Sequence, residues 1–157
     1  MRARLLARLI CSPSLAYPPQ ANSSIRGIEM PKKTDYSKKS LLVVGTHGNE
    51  DVERATMAFM CASAASALGV KTTVFLTGNG IKLAQKNYAA RLPRVEGLAP
   101  IKELMNAFVE SGGKLQVCIP CREARGIGKD QFMAGVKFAT LMDFAAQAME
   151  TDKIYTC

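Results

Sequence analysis

Hydrophobic positions fall along this chain in short runs of two kinds. Ser40 to Gly45 is a continuous apolar run, the pattern of a strand buried on both faces and hence of a parallel sheet. Val70 to Thr77 reads as a second strand, and Leu115 to Val117, ending at a thiol, as a third. Helical patterns lie between them. Glu50, Asp51 and Glu53 supply the acidic first turn of a helix that runs to about Leu68 and stops at Gly69. Ile101 to Glu110 places Ile101, Leu104, Met105, Phe108 and Val109 on one face, and Ser111-Gly112-Gly113 ends it. Gly78-Asn79-Gly80 turns into a short helix from Ile81 to about Asn87, and Tyr88 to Pro100 is a loop. After Gly126 and Gly128, Asp130 is placed to cap a turn over Gln131 to Ala134. Gly135 to Ala139 is ambiguous, with a short fourth strand as one reading. Thr140 to Met149 is a helix and Asp152 to Cys157 a final strand.

This alternation predicts an α/β fold: an open, mostly parallel sheet with helices on both faces, joined by right-handed βαβ units. Ligands in such sheets sit beyond the carboxyl ends of the strands. The segments there are Thr46-His47-Gly48-Asn49, Thr77-Gly78-Asn79-Gly80, the Cys118–Cys121 stretch and the terminal Cys157. Three of the five cysteines and the only histidine are thus sent toward one rim. Whether they meet depends on strand order, which the pattern does not give.

Net charge changes the picture little. The formal charge is +8, which raises the idea of a polyanionic partner. Residues 1–39, however, hold 8 Lys and Arg against 2 Asp and Glu, and residues 40–157 hold 13 against 11. The basicity belongs to the leader, and the remainder has no special claim on nucleic acid. The apolar stretch Ala55 to Leu68 is too short to span a bilayer. Residues 1–39 read as a disordered leader and residues 40–157 as the folded domain. Three readings of the leader compete. One is an Arg-rich, acid-poor organellar presequence. A second is a secretory signal, which Arg8 argues against by breaking the run from Leu5 to Cys11. The third is a mis-assigned bacterial start, with Met30 the true one and Arg26-Gly27 encoding a ribosome-binding purine tract. The location expected for the domain is the cytoplasm, or an organelle if the presequence is genuine.

The chemistry is concentrated in Cys118-Ile119-Pro120-Cys121, followed by Arg122-Glu123-Ala124-Arg125-Gly126. A Cys-X-X-Cys where a strand gives way to a helical turn favours thiolate over thiol, because the helix N-terminus and nearby guanidinium groups stabilise the anion. A lowered pKa is therefore expected at Cys118, supported by Arg122 and Arg125; the bland reading makes both arginines solvated helix residues. Zinc needs about four ligands, and one histidine with a single Cys-X-X-Cys falls short, so no metal is expected. An odd cysteine count favours reduced, working thiols over a disulfide framework. Cys61 reads as core packing and Cys157 as a C-terminal thiol without a task, although it reaches the same rim. His47 acts as an acid or base, or, on the favoured reading, satisfies a tight loop. Gly45-Thr46-His47-Gly48 lacks the glycine spacing and lysine of a P-loop.

Taken in order, Leu41-Leu42-Val43-Val44-Gly45-Thr46-His47-Gly48, Val74-Phe75-Leu76-Thr77-Gly78-Asn79-Gly80-Ile81, Leu115-Gln116-Val117-Cys118 with Ala124-Arg125-Gly126, and Asp152-Lys153-Ile154-Tyr155 are similar to the DsrE/DsrF-like (TusD-like) sulfur-relay family. The resemblance covers about Leu41 to Cys157. It implies a three-layer α/β/α fold of flavodoxin-like architecture around a mostly parallel five-stranded sheet, and homo- or hetero-oligomers, often trimeric or hexameric, with a homo-oligomer expected here. It also implies sulfur donor and acceptor proteins as partners, and a persulfide carried at the end of the third strand, which maps onto Cys118. No cofactor is implied. Cys121 is a departure from the TusD pattern. It makes the second thiol a resolving or carrying group, or turns the pair toward redox chemistry.

Three functions follow. The first is a sulfurtransferase-type carrier that relays persulfide sulfur on Cys118 with Cys121 as second thiol, with Arg122, Arg125, His47, Asn79 and Cys157 as supporting candidates. The second is a thiol–disulfide redox protein using the same pair. The third is a non-catalytic subunit that holds a small ligand or partner on the sheet rim.

Overall fold

The computed structural model describes residues 35–157. Five strands form one sheet: β1 (Ser40–Gly45), β2 (Lys71–Leu76), β3 (Lys114–Cys118), β4 (Lys137–Ala139) and β5 (Lys153–Thr156). Their order is β4-β3-β2-β1-β5, and every neighbouring pair is parallel. The ambiguous stretch before Thr140 does contain a strand, β4, at the sheet edge beside β3.

Strand order dictates where the helices go. The chain steps from β1 to β2 to β3 in one direction, so right-handed crossovers place α1 (Val52–Ala67) and α2 (Ile101–Glu110) on the same face. There Phe59 and Phe108 meet edge to face at 6.2 Å, and the Ser63 hydroxyl donates to the Leu104 carbonyl. From β4 the chain crosses back to the far side of β1, and α4 (Leu141–Glu150) therefore lies on the opposite face. Phe75 of β2 reaches it, with its ring 4.7 Å from that of Phe144. Leu42, Val43 and Val44 are buried on both sides, which is why β1 reads as an unbroken apolar run. β5, paired only with β1, has every residue exposed.

The helix ends depart from expectation in informative ways. Asp51 is the N-cap of α1, and its carboxylate accepts from the Arg54 N–H at 2.9 Å. Glu50 precedes the helix and folds back instead onto the Gly48 N–H at 3.0 Å. The helix expected from Ile81 is a 3₁₀ segment, Gly78–Ala84, that starts three residues earlier. Gly128, not Asp130, caps the next turn, and Asp130 lies inside the 3₁₀ segment Lys129–Gln131. That segment is clamped to the earlier one: Met133 N donates to Ala84 O, and Gln85 pairs with Phe132 in an antiparallel bridge. Thr140 and Asp143 form a reciprocal capping box at the start of α4.

The readings of residues 1–34 lie outside the described residues. Residues 35–39, assigned above to the leader, are described, and Lys39 is tied to the domain. Its carbonyl accepts from Lys71 N, and its ammonium pairs with Asp152 at 2.9 Å. Among the described residues no helix is long and apolar enough to cross a membrane.

Candidate functional site

β3 ends at Cys118, and the short helix α3 (Ile119–Glu123) begins at once, with Pro120 in its first turn, where a missing N–H costs nothing. The second thiol is thereby brought back against the end of β2. The parallel register Leu76↔Val117 sets Thr77 beside Cys118, and α3 lays Cys121 over Thr77 and Gly78. The Thr77 hydroxyl oxygen is 3.2 Å from the Cys121 sulfur, and the Gly78 N–H donates to that sulfur at 3.4 Å. Gly78 sits at φ +54°, and a Cβ there would press on the Thr46 carbonyl, so this backbone donor requires glycine.

The two thiols are near enough to act on one another, and they differ in kind. Cys118 has no exposed surface, and burial pushes its thiol up. Cys121 is half-buried. Burial pushes its thiol up as well, but hydrogen bonds from Thr77, Cys118 and the Gly78 N–H, with the Arg125 charge, hold it below the ordinary value. The more acidic thiol is thus Cys121, the reverse of the expectation. A strand-end position does not by itself lower a thiol: the Cys121 N–H and the Thr77 hydroxyl act on Cys118 too, but burial outweighs them.

The two arginines part company. Arg125 donates to the Cys121 carbonyl at 3.1 Å and to Asn79 Oδ1 at 3.0 Å. Glu50 lies on the other side of Asn79; burial raises its carboxyl, but its own N–H, the Gly48 N–H, Asn79 and the nearby His47 hold it below its ordinary value. The hydrogen-bonded Arg125 and Asn79 therefore border the thiol pair, with Glu50 beyond them. Arg122 turns the other way. It donates to the Ile127 carbonyl at 2.9 Å, pairs with Glu123 and lies over the Phe138 ring, while its buried Nε has no partner. Arg122 is a clamp on the loop after α3 and makes no contact with either thiol.

His47 and Cys157 belong to a different tie. The Thr46 hydroxyl donates to the Cys157 carbonyl, and its one hydrogen is thereby used. The His47 Nδ1–H is then the donor in the 2.9 Å contact with Thr46 Oγ1. This is the loop-satisfying arrangement. The Cys157 thiol engages Tyr155 and lies near Cys61. Three inter-strand spacings separate β5 from β3, roughly 14 Å at about 4.8 Å each, so Cys157 is not part of the pair. Cys61, read as core packing, is only half-buried; burial and then Cys157 raise its thiol. Among the described residues no cluster of His, Cys, Asp and Glu side chains could hold a metal ion.

The site thus gathers Cys118, Cys121, Arg125 and Asn79. Neither Thr77 nor Glu50 was expected at the site: the one signal for Thr77 was its place on the rim before Gly78, and Glu50 read only as part of the acidic first turn of α1.

Relatives share this frame. An uncharacterized protein of Methanocaldococcus jannaschii is 31% identical over 115 residues, covering 73% of this chain and 96% of its own length. An uncharacterized protein of Methanopyrus kandleri is 29% identical over 102 residues, or 65% and 80% of the two chains. Among solved structures, the ychN protein of E. coli superposes with a TM-score of 0.59 at 16% identity, covering 76% of this chain and 99% of that one. A protein of unknown function from Bacteroides thetaiotaomicron gives 0.54 at 16% identity, covering 79% and 99%. At such identities the likeness shows the fold alone. A model of the DsrE/DsrF-like family matches residues 39–156, and the chain belongs to that family.

Proposed function

We propose that this protein is a sulfur carrier of sulfurtransferase type, in which the Cys118–Cys121 pair takes up sulfane sulfur as a cysteine persulfide and passes it to an acceptor thiol. The observation that carries the reading is the pair itself. Two free thiols lie together at the sheet rim, and one of them is held by a hydroxyl, a backbone N–H and a guanidinium charge. Thiol exchange runs through the thiolate, and this surrounding favours it. The chemistry needs no bound cofactor. A working pair of reduced thiols suits a reducing compartment such as the cytoplasm. Donor and acceptor proteins are the proposed partners.

A homo-oligomer, trimer or hexamer, is part of the same proposal. Its support is the exposed apolar side of α4 and β5: Met142 and Met149, seven positions apart on one helix face, are 83% and 88% exposed, and Ile154 and Tyr155 lie on the edge strand. Size-exclusion chromatography with light scattering tests it.

The carrier reading is tested by incubating the reduced protein with a persulfide donor and taking an intact mass. A gain of one sulfur atom, removed by reductant and lost when both Cys118 and Cys121 are replaced by Ser, is expected. The closeness of the two thiols favours one rival, a dithiol–disulfide couple. No sulfur gain, with loss of two hydrogens on mild oxidation, would decide for that rival. Neither change would leave a binding module.

A further inference from the structure

Resting on the carrier reading, we infer that sulfur is received on Cys121, cradled by the Thr77 hydroxyl and the Gly78 N–H, and that Cys118 is the buried thiol that discharges it. Family resemblance alone puts the carrier at Cys118. Geometry argues otherwise. Cys118 has no exposed surface, so a donor protein has no approach to its sulfur. Cys121 is half-exposed and is the thiol at which the donors converge, at 3.2 Å and 3.4 Å. Arg125 is fastened to its carbonyl and anchored by Asn79, which keeps a positive charge beside the same sulfur.

Cys121 thiolate attacks the outer sulfur of a donor persulfide R–S–SH; the donor S–S bond breaks, R–S⁻ leaves, and Cys121–S–SH forms. An acceptor thiolate can then attack that outer sulfur, taking it as a new persulfide and restoring Cys121 thiolate. If none arrives, the Cys118 thiol attacks the Cys121 sulfur. The persulfide bond breaks, and the outer sulfur departs with both protons as hydrogen sulfide. The sulfane sulfur is reduced by two electrons, and Cys118 and Cys121 are oxidised to a disulfide, which an external dithiol reduces. Cys118 therefore limits how long the carrier stays loaded.

The test loads full-length wild type, Cys118→Ser and Cys121→Ser with glutathione persulfide, then reads intact mass, peptide position of the added sulfur and released sulfide. Cys118→Ala, which buries no hydroxyl, replaces Cys118→Ser if the latter does not fold. The Cys118 variant should hold one sulfur on Cys121 and release several-fold less sulfide than wild type. Wild type should drift to a form lacking two hydrogens as sulfide appears, and Cys121→Ser should take up none. Sulfur on Cys118 in the Cys121 variant, with none in the Cys118 variant, would overturn the assignment while leaving the carrier reading intact. No added sulfur and no sulfide in any of the three chains would bring down the carrier reading, and the assignment with it.

Discussion

The hydroxyl of Thr77 stands 3.2 Å from the sulfur of Cys121, a contact between residues 44 apart in sequence that joins the ends of β2 and α3. Toward a thiolate this hydroxyl is the donor, and burial makes such a bond count for more than it would in water. Thr77→Val removes the donor and keeps the branched shape. The Cys121 pKa should rise, so alkylation by iodoacetamide at neutral pH should slow by up to roughly tenfold. The rate measured against pH decides it, and an unchanged midpoint would show that Thr77 does not act on the thiol.

Alkylation of the native protein should also separate the two cysteines. The rate at Cys121 should rise with pH and level off below the range of an ordinary thiol, because its anion is favoured in the folded state. Cys118, fully buried and raised by burial, should be modified only once the chain is unfolded. Peptide mapping after a short pulse at neutral pH, with and without denaturant, checks both halves. Comparable labelling of Cys118 in the native state would contradict its placement.

Arg125 and Arg122 should behave as different kinds of residue despite their spacing. Arg125→Gln removes a charge that lowers the Cys121 pKa, so the alkylation midpoint should move up. Arg125 lies in an exposed contact, and the gap from wild type should narrow in about 1 M salt, where the Debye length falls to about 3 Å. Arg122→Gln should leave the midpoint where it is and lower thermal stability, since its contacts are Ile127, Glu123 and the Phe138 ring. Matched pH profiles and melting curves for the two variants distinguish these outcomes.

The frame of this domain was legible where burial is uniform along an element. β1 is buried on both faces and α2 is bounded by Pro100 and Gly112-Gly113, and both elements stand at the expected residues. Thr46, His47, Cys157 and the Cys118–Cys121 pair do lie at the carboxyl ends of parallel strands, as the alternation implied. Their grouping was not legible, because strand order sets it: β2 and β1 stand between β3 and β5. Nor was the ranking of the two thiols. Spacing announces a Cys-X-X-Cys but says nothing about which sulfur the Thr77 and Gly78 donors reach. Arg122 and Arg125 diverge because α3 ends at Glu123, and residues past a helix end no longer share its faces. The 3₁₀ segments were misplaced because the Gln85–Phe132 bridge, a tertiary pairing, fixes their ends.

Gly80 links the strand frame to the thiol site. Its N–H donates to the Thr46 and Thr77 carbonyls, and a Cβ at this position would overlap the Gly45 carbonyl. The obstruction is backbone, which cannot rotate aside, so Gly80→Ala should destabilise by about 1–3 kcal/mol. The turn carrying Thr77 and Gly78 must shift to accommodate the methyl group. Loss of melting temperature should therefore come with slower Cys121 alkylation at temperatures where the variant is still folded. Destabilisation with wild-type thiol kinetics would mean that the strain is absorbed elsewhere.

Asp152 offers a test of the edge strand by pH. Hydrogen bonds from the Lys39 ammonium, the Ser40 hydroxyl and the Ser40 N–H hold its carboxyl at about 2, below the ordinary 3.8. A carboxyl depressed in the folded state binds its proton more readily when unfolded, so its contribution is fully present above about pH 4 and is lost as pH falls through about 2. Asp152→Asn lacks that titration. Urea midpoints measured at pH 7, 4 and 2 should show the variant less stable at the first two and converging on wild type at the last. Lys39 is 60% exposed, so raising the salt concentration should shrink the gap at pH 7 as well. Parallel loss of stability in both proteins down to pH 2 would mean that the tie between the starts of β1 and β5 contributes nothing through its charge.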